Sequence, residues 1–172
     1  MSRLLLPPSL RDLSFRPMRP EDLDQVMAIE RASFSLPWPR QAYLYELRDM
    51  GRSRLFVVED RKGVPPEVVA YAGYWRVVDE AHITNVAVRA DHRGRGVGTW
   101  LMERLLETAS EEGLMRATLE VRVSNLAAQH LYERLGFTGV AIRRGYYTDN
   151  GENALVMWKE RLEKTPEGEE PC

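Results

Sequence analysis

The spacing of apolar residues predicts which segments are strands and which are helices, because side chains repeat every two residues on a strand and every 3.6 on a helix. Short apolar runs rich in valine and aromatic residues predict seven strands. These are Leu13–Pro17, Leu55–Glu59, Val68–Val78, Glu80–Val88, Arg116–Val123, Val140–Arg144 and Ala154–Lys159. Helical spacing predicts four helices. These are Pro20–Ser33, Gln41–Met50, Thr99–Ala109 and Leu126–Leu135.

The order of these elements, β-αα-βββ-α-β-α-ββ, predicts one mixed α/β domain. We place this domain at residues 13–162, because no internal repeat or linker divides the segment. Residues 1–12 are expected to form a flexible arm. Residues 163–172 are polar, acidic and proline-containing, and we expect a disordered tail there.

Composition excludes several kinds of protein. A net charge of −2 gives no overall attraction to nucleic acid or anionic membranes, so we expect neither partner. The only cysteine is Cys172, and His82, His92 and His130 lack a metal-ligand spacing, so no disulfide or metal site is expected. No apolar run is long enough to span a bilayer, and the Leu4–Leu6 run is too short for a signal peptide. We therefore expect a cytoplasmic protein.

A glycine-rich stretch, Arg93-Gly94-Arg95-Gly96-Val97-Gly98, separates a predicted strand from a predicted helix. Backbone N–H groups at such a helix start carry partial positive charge, and glycine lets a phosphate approach them. A Walker loop would need Lys and Ser/Thr after Gly98, and a dinucleotide fingerprint would need glycine in place of Thr99. Taken alone, the stretch is either a phosphate-binding loop or a tight solvated turn.

A carboxylate occupies the predicted strand after this helix. In Thr118–Val123 the odd-numbered positions are apolar, and Glu120 shares the opposite face with Thr118 and Arg122. A carboxylate on a central strand is costly unless its face opens to water or to a cleft. Glu120 is therefore either a solvated residue or a functional one.

A tyrosine on the following helix can lie near the same strand end. Asn125, Ala128, Gln129 and Tyr132 share one helix face, and only Ser124 separates the helix from the strand. Tyr132 is either a half-buried core residue or a functional partner of the strand carboxylate.

Three separate motifs resemble the GNAT superfamily of N-acetyltransferases. They are Val86-Ala87-Val88, then Arg93-x-x-Gly96-x-Gly98, then Ser124-Asn125-x-x-Ala128 with Leu131-Tyr132-x-x-Leu135-Gly136-Phe137. The segments Leu119–Asn125 and Ile142–Tyr147, together with Pro37-Trp38, resemble the RimI-type group, which acetylates the N-terminus of a small-subunit ribosomal protein.

The resemblance implies a fold, a donor and a set of site residues. The fold is a mixed, mostly antiparallel sheet, splayed at its central strands, with helices on both faces. The donor is acetyl-CoA, and the acceptor is a protein or peptide N-terminus. The cofactor-binding residues implied are Val86, Ala87, Val88, Arg93, Gly94, Arg95, Gly96, Val97, Gly98, Thr99 and Asn125. Glu120 is implied as general base and Tyr132 as general acid, while Trp38, Tyr146 and Tyr147 line the acceptor side.

The chemistry agrees with these roles. An α-amino group, with a pKa of about 8, must lose a proton before it attacks, and a carboxylate takes that proton. A phenol donates a proton to the leaving thiolate, and the N–H of Val86 is the candidate oxyanion donor. His82 and His130 are weaker candidates for the base. Two other functions stay open at this point: acetylation of lysine side chains or small amines, and non-catalytic binding of acyl-CoA.

Overall fold

The computed structural model of the protein describes residues 6–162. This part of the chain contains seven strands and four α-helices. The strands are β1 (Leu13–Pro17), β2 (Ser53–Asp60), β3 (Glu67–Val77), β4 (Glu80–Val88), β5 (Arg116–Arg122), β6 (Thr138–Arg143) and β7 (Ala154–Lys159). The helices are α1 (Leu23–Ser33), α2 (Arg40–Arg48), α3 (Val97–Glu111) and α4 (Leu126–Arg134). The predicted α/β class is confirmed.

The chain divides into two compact units, one holding the described residues up to Trp75 with Thr84–Met102, the other holding Arg76–Ile83 with the described residues from Glu103 onward. In the first unit, β2 pairs antiparallel with both β1 and β3. Apolar residues of α1 at helical spacing, among them Leu23 and Val26, join Val57 of β2 in one buried cluster. Burial of each such side chain stabilises the fold by roughly 1.5–3 kcal/mol.

In the second unit, β7 pairs antiparallel with both β5 and β6. The start of β4 pairs parallel with β5, from Glu80 opposite Arg116 to His82 opposite Thr118. Strand β5 pairs with β7 from Ala117 to Arg122, which is further than its pairing with β4 extends. The sheet is thus mixed and mostly antiparallel, as predicted. The predicted splaying of β4 from β5 stays a prediction.

The element boundaries differ from the predicted ones by up to three residues. Helix α1 begins at Leu23 rather than at Pro20, because Pro20–Asp22 form a 3-10 turn. Helix α3 begins at Val97, two residues before the predicted start, so that Gly98 lies in its first turn. Strand β6 begins at Thr138, also two residues early. Strands β4 and β7 have the predicted limits.

The described part of the expected N-terminal arm is folded at one point. Pro8–Leu10 form a 3-10 turn, and the Leu10 side chain is buried. The expected tail, 163–172, lies outside the described residues, and the predicted domain limits of 13–162 stay a prediction. Among residues 6–162, every helix is too short or too polar to traverse a lipid bilayer.

Candidate active site

The second half of β4 presents two valines on its less buried face. Burial alternates along the strand, with Asn85 and Ala87 buried and Val86 and Val88 only partly buried. This alternation is the two-residue period of a strand. The motif Val86-Ala87-Val88 therefore has its first and last side chains on the same face.

The loop after β4 needs glycine for its backbone conformation. Gly94 and Gly96 have φ angles of +72° and +81°, in the left-handed region that other residues avoid. A Cβ added to either glycine would meet no described atom within 4 Å. The glycines are thus required by backbone geometry rather than by crowding, and space around them is open.

Helix α3 leaves its first amides outside the helical hydrogen-bond ladder. The N–H of Trp100 donates to the carbonyl of Gly96 at 3.1 Å, closing the first turn. The N–H groups of Val97, Gly98 and Thr99 precede that bond and have no carbonyl four residues back within the helix. Together with the helix dipole, they make this end of α3 suitable for an anion.

The two arginines of the glycine loop lie in different surroundings. The guanidinium of Arg93 donates to the carbonyl of Val88 at 2.9 Å and to the hydroxyl of Ser33 at 3.3 Å, so it braces the loop against its own unit. Arg95 is exposed, and its carbonyl accepts a bond from the Ser9 hydroxyl at 3.3 Å. Arg93 therefore acts on the loop's shape, whereas the side chain of Arg95 faces solvent.

Trp38, predicted on the acceptor side, belongs to the first unit. Its N–H donates to Oε1 of Glu30 at 2.8 Å. Its ring is half-buried and lies 5.5 Å from the Tyr43 ring and 6.3 Å from the Trp75 ring, centroid to centroid. The side chain is therefore held from two sides, while part of it stays accessible.

Glu120 belongs to the second unit and is paired with an arginine. Its Oε1 accepts a bond from Arg143 of β6 at 2.9 Å, and the same guanidinium lies 4.8 Å from the centre of the Tyr146 ring. The Glu120 side chain is partly exposed, whereas its strand neighbours Leu119 and Val121 are buried. A partly exposed carboxylate that already holds one cation is able to receive another.

The hydroxyl of Tyr132, on α4, is largely removed from solvent. Burial, and after it the nearby Tyr147, raises the pKa of Tyr132 to about 12. The ring packs on Phe137 with centroids 5.9 Å apart. The phenol is protonated at neutral pH and is available as a donor, and the raised pKa extends this state to higher pH.

Tyr146 and Tyr147 project from the loop that joins β6 to β7, with their rings 5.1 Å apart in an edge-on arrangement. Burial, followed by Glu120, raises the pKa of Tyr146, and burial together with Tyr146 raises that of Tyr147 to about 12. The guanidinium of Arg122 covers the Tyr147 ring at 3.9 Å. Both phenols are thus neutral groups beside the strand carboxylate.

Asn125 caps helix α4. Its Oδ1 accepts the N–H of Ala128 at 3.2 Å, which satisfies one of the free amides of the first turn. The residue is exposed. The predicted contact between Asn125 and the cofactor stays a prediction.

Within the second unit, the structure brings together the predicted residues Glu120, Tyr132, Tyr146 and Tyr147. Two arginines that sequence reasoning did not assign to the site, Arg122 and Arg143, complete this group. Arg122 lies two residues from Glu120 on the same strand face. Arg143 lies in the segment Ile142–Tyr147, which carries part of the family resemblance. In the sequence, Arg122 could have been found from the strand face that it shares with Glu120. Arg143 could have been found from the basic pair Arg143-Arg144 before Gly145.

The histidines considered as bases lie in other settings. His82 is bonded through Nε2 to Glu80 at 2.7 Å, and its ring packs edge-on against Trp158. His130 is exposed on α4. These surroundings give no reason to prefer His82 or His130 to Glu120 as the general base.

Comparison with known proteins finds a matching family model, relatives of similar sequence and a solved structure of similar fold. Residues 23–137 match the family model described as "Acetyltransferase (GNAT) family". A relative from Bacillus subtilis (strain 168) is 42% identical over 143 residues, which cover 83% of this chain and 92% of the relative. The "[Ribosomal protein bS18]-alanine N-acetyltransferase" of Escherichia coli (strain K12) is 36% identical over 138 residues, covering 79% of this chain and 89% of that protein. The crystal structure of the ribosomal-protein-S18-alanine N-acetyltransferase from Escherichia coli matches with a TM-score of 0.78 and 30% identity, covering 91% of this chain and 99% of that one.

Proposed function

The chain belongs to the acetyltransferase (GNAT) family, and on that premise we propose that it transfers an acetyl group from acetyl-CoA to the N-terminal amine of a protein. The observation that carries the proposal is its 36% identity, over 89% of the relative, to an Escherichia coli enzyme named for acetylating the alanine of ribosomal protein bS18. An acceptor of the same kind, the N-terminus of a small-subunit ribosomal protein, is the substrate we propose. The cytoplasmic location expected from the sequence is part of this proposal.

The first unit supports the donor side of the reaction. The open space at Gly94 and Gly96 and the free amides at the start of α3 suit a pyrophosphate. We assign this role to the loop and first helical turn, with Gly94, Arg95, Gly96, Val97, Gly98 and Thr99. Arg93 contributes by fixing the loop's shape through its bonds to Val88 and Ser33.

The backbone of Val86–Val88 is the proposed partner for the amides of the pantetheine arm. Because the Val88 carbonyl already accepts a bond from Arg93, we assign the main pairing to the backbone groups of Val86. Asn125 is proposed to meet the cofactor through its amide nitrogen, because its oxygen caps α4.

The second unit supports the acid–base chemistry. Glu120 takes a proton from the acceptor ammonium, which replaces Arg143 as the cation beside the carboxylate. The freed amine forms the new C–N bond to the acetyl carbon as the C–S bond breaks. Tyr132 donates its hydroxyl proton to the leaving thiolate, and the raised pKa of Tyr132 keeps that proton in place until it is needed. Electrons of the C–S bond leave with sulfur, so no redox partner is required.

We assign the acceptor side to three aromatic residues: Trp38 in the first unit, and Tyr146 and Tyr147 in the second. Each is partly exposed, and each is held by defined contacts. Aromatic rings with fixed positions contact a peptide at low entropic cost.

The acceptor class is tested with peptides that offer different amines. The protein is incubated with acetyl-CoA and either a polyamine or one of three peptides: one with a free N-terminal alanine, the same peptide with a blocked N-terminus and an internal lysine, and a peptide with both amines. Mass spectrometry locates the acetyl group. We expect it on the α-amine. Acetylation of lysine alone, or of a polyamine but no peptide, would replace the proposal with the corresponding alternative.

The catalytic roles are tested by Glu120→Gln and Tyr132→Phe, which we expect to lower kcat about 100-fold or more, as lost acid–base groups do. Glu133→Gln is the matched control, because Glu133 is an exposed carboxylate on α4. If both site variants keep kcat near that of the control, neither residue acts in proton transfer.

A further inference from the structure

A fully buried carboxylate, Glu30 of α1, lies at the centre of a hydrogen-bond network in the first unit. Its side chain is 1% exposed. Its Oε1 accepts the N–H of Trp38 at 2.8 Å, and its Oε2 accepts the hydroxyl of Tyr43 at 2.7 Å and that of Tyr71. All three donors are neutral, so the carboxylate is stabilised by hydrogen bonds rather than by an opposite charge.

Such a group is expensive to keep in a protein core. Burying a carboxylate costs several kcal/mol even after relaxation, and an apolar residue of similar size avoids that cost. Its neighbours are specialised to receive it. Burial and the carboxylate itself raise the pKa of Tyr43 well above its ordinary value, so this phenol remains a donor at any physiological pH. The core alone does not need a carboxylate here. What the carboxylate provides is a fixed position for the groups that donate hydrogen bonds to it.

The segment that Glu30 holds is the connection from α1 to α2. The backbone carbonyl of Glu30 accepts the N–H of Phe34 at 3.0 Å, while its side chain accepts the N–H of Trp38. One residue thus ties down both ends of the segment 34–38. Pro37 and Pro39 flank Trp38 and have no N–H, so Trp38 supplies the only amide donor among these three residues.

The same network reaches the strand proposed to hold acetyl-CoA. The Nδ2 of Asn85 donates to the Tyr43 hydroxyl at 3.2 Å, and Asn85 directly precedes Val86 on β4. The Tyr43 ring also packs on the Trp38 ring. Trp38 is therefore connected to β4 through Glu30 and Tyr43 by contacts that lie entirely within the first unit.

We propose that Glu30 is a positioning residue, which holds Trp38 and the segment 34–38 in place to receive the acceptor peptide. This inference rests on the proposed function, because it assigns Trp38 to the acceptor side. It predicts that loss of the carboxylate weakens use of the peptide more than use of acetyl-CoA, because Glu30 bonds Trp38 directly and reaches β4 only through Tyr43 and Asn85.

Glu30→Gln tests this directly. The amide places a donor where the carboxylate accepted, so at least one of the bonds to Trp38, Tyr43 and Tyr71 is lost. We expect the KM for the peptide to rise about tenfold or more, since small displacements of positioning groups have effects of that size, with the KM for acetyl-CoA changed less than about twofold.

A second readout does not depend on activity. The chain has four tryptophans, so labelling with ¹⁵N-tryptophan gives four backbone amide signals in an NMR spectrum of the full chain. In Glu30→Gln, the Trp38 amide should exchange with solvent at least about tenfold faster, because a neutral amide replaces its charged acceptor and bonds it more weakly. The amides of Trp75 and Trp158, in strands, and of Trp100, in α3, should exchange as in the wild type.

Val26→Ala is the matched control. Val26 is buried on the same helix and belongs to the same core cluster, but it lies outside the network. It lowers the melting temperature through lost packing, and it should change neither the peptide KM nor the exchange of the Trp38 amide.

Tyr43→Phe keeps the inference testable if Glu30→Gln does not fold. It removes one donor to Oε2 and the link to Asn85 while preserving the ring, and we expect the same two changes at about threefold. If the folded variants keep the wild-type KM for the peptide and the wild-type exchange rate of the Trp38 amide, the positioning role of Glu30 is excluded. The proposed function would still stand. A wild-type protein that acetylates no peptide would instead overturn the proposed function, and the inference with it.

Discussion

The raised pKa of Tyr132 makes a prediction about pH. A general acid must be protonated, so its contribution to kcat is full below its pKa and is lost as pH rises through that value. An ordinary phenol loses its proton near pH 10, whereas burial and Tyr147 raise the pKa of Tyr132 to about 12. We expect kcat, measured with saturating substrates, to show no falling limb between pH 8 and 10. A limb with its midpoint at or below about pH 10 that disappears in Tyr132→Phe would contradict this.

The sequence predicted the strand face on which Glu120 lies, but not the residue with which it pairs. Alternation on β5 placed Glu120 opposite the buried Leu119 and Val121, as the structure has it. Its ion pair with Arg143 joins residues 23 positions apart and depends on how β5, β7 and β6 align. Strand pattern gives the face on which a side chain lies, but not which residue on a distant strand faces it.

At the scale of elements, Arg122 organises the loop between β6 and β7. Its guanidinium donates to Asp149 at 2.7 Å and to Glu152 at 3.3 Å, and it covers the Tyr147 ring. Glu152 in turn accepts the N–H of Ser124 at 2.9 Å. These bonds connect the loop to the end of β5, so Arg122 contributes to the position of Tyr147 and of the loop that carries it.

We therefore expect Arg122→Gln to raise the KM for the peptide about tenfold, with a smaller effect on kcat, because the loop loses its fixed position. Arg134→Gln is the control, since Arg134 is an exposed arginine in the last turn of α4. Steady-state kinetics with varied peptide measures both. An unchanged peptide KM in Arg122→Gln would show that Arg122 does not position the loop for the acceptor.

The turn between β3 and β4 contains strain that the sequence pattern concealed. Val78 was predicted to end a strand, but the strand ends at Val77, and Val78 has a φ of +56° while being 96% exposed. A β-branched residue in the left-handed region costs roughly 1–2 kcal/mol. Valine suggests a strand by propensity, and the need to reverse the chain before Glu80 overrides that propensity.

Val78→Asn should accordingly stabilise the protein by about 1 kcal/mol, because asparagine tolerates this conformation. For a chain of this length that raises the melting temperature by about 2–4 °C. Val140→Asn is the control: it also replaces an exposed valine, but one on β6 without a positive φ. Thermal denaturation compares the two. Equal or lower stability of Val78→Asn would show that the valine is unstrained.

At the scale of the whole molecule, the sequence motifs predicted the family and the fold class, because each motif depends on local geometry. The glycine loop needs positive φ angles at Gly94 and Gly96, and the cap of α4 needs the side chain of Asn125. The acceptor does not follow from such motifs. In our proposal it depends on segment 34–38 and on the β6–β7 loop, where Glu30 and Arg122 make bonds to residues distant in the sequence rather than within a local pattern.

Binding of the donor should be visible in the stability of the entire chain. A ligand that binds only the folded state at 100 times its Kd stabilises it by about 2.7 kcal/mol, which corresponds to about 5–10 °C in melting temperature for a chain of this size. Two glycines allow a matched test. Gly96 and Gly113 have φ angles of +81° and +86°, and an added Cβ at either would meet no described atom within 4 Å.

Gly96→Ala and Gly113→Ala thus introduce the same backbone strain, roughly 1–2 kcal/mol each, and should lower the melting temperature of the free protein by similar amounts. Only Gly96 lies in the proposed pyrophosphate loop, so only Gly96→Ala should lose most of the shift that coenzyme A produces. Thermal melts with and without coenzyme A measure both effects in one experiment. If the two variants retain equal shifts, the loop does not hold the pyrophosphate, because strain alone would then account for everything that the glycine does there.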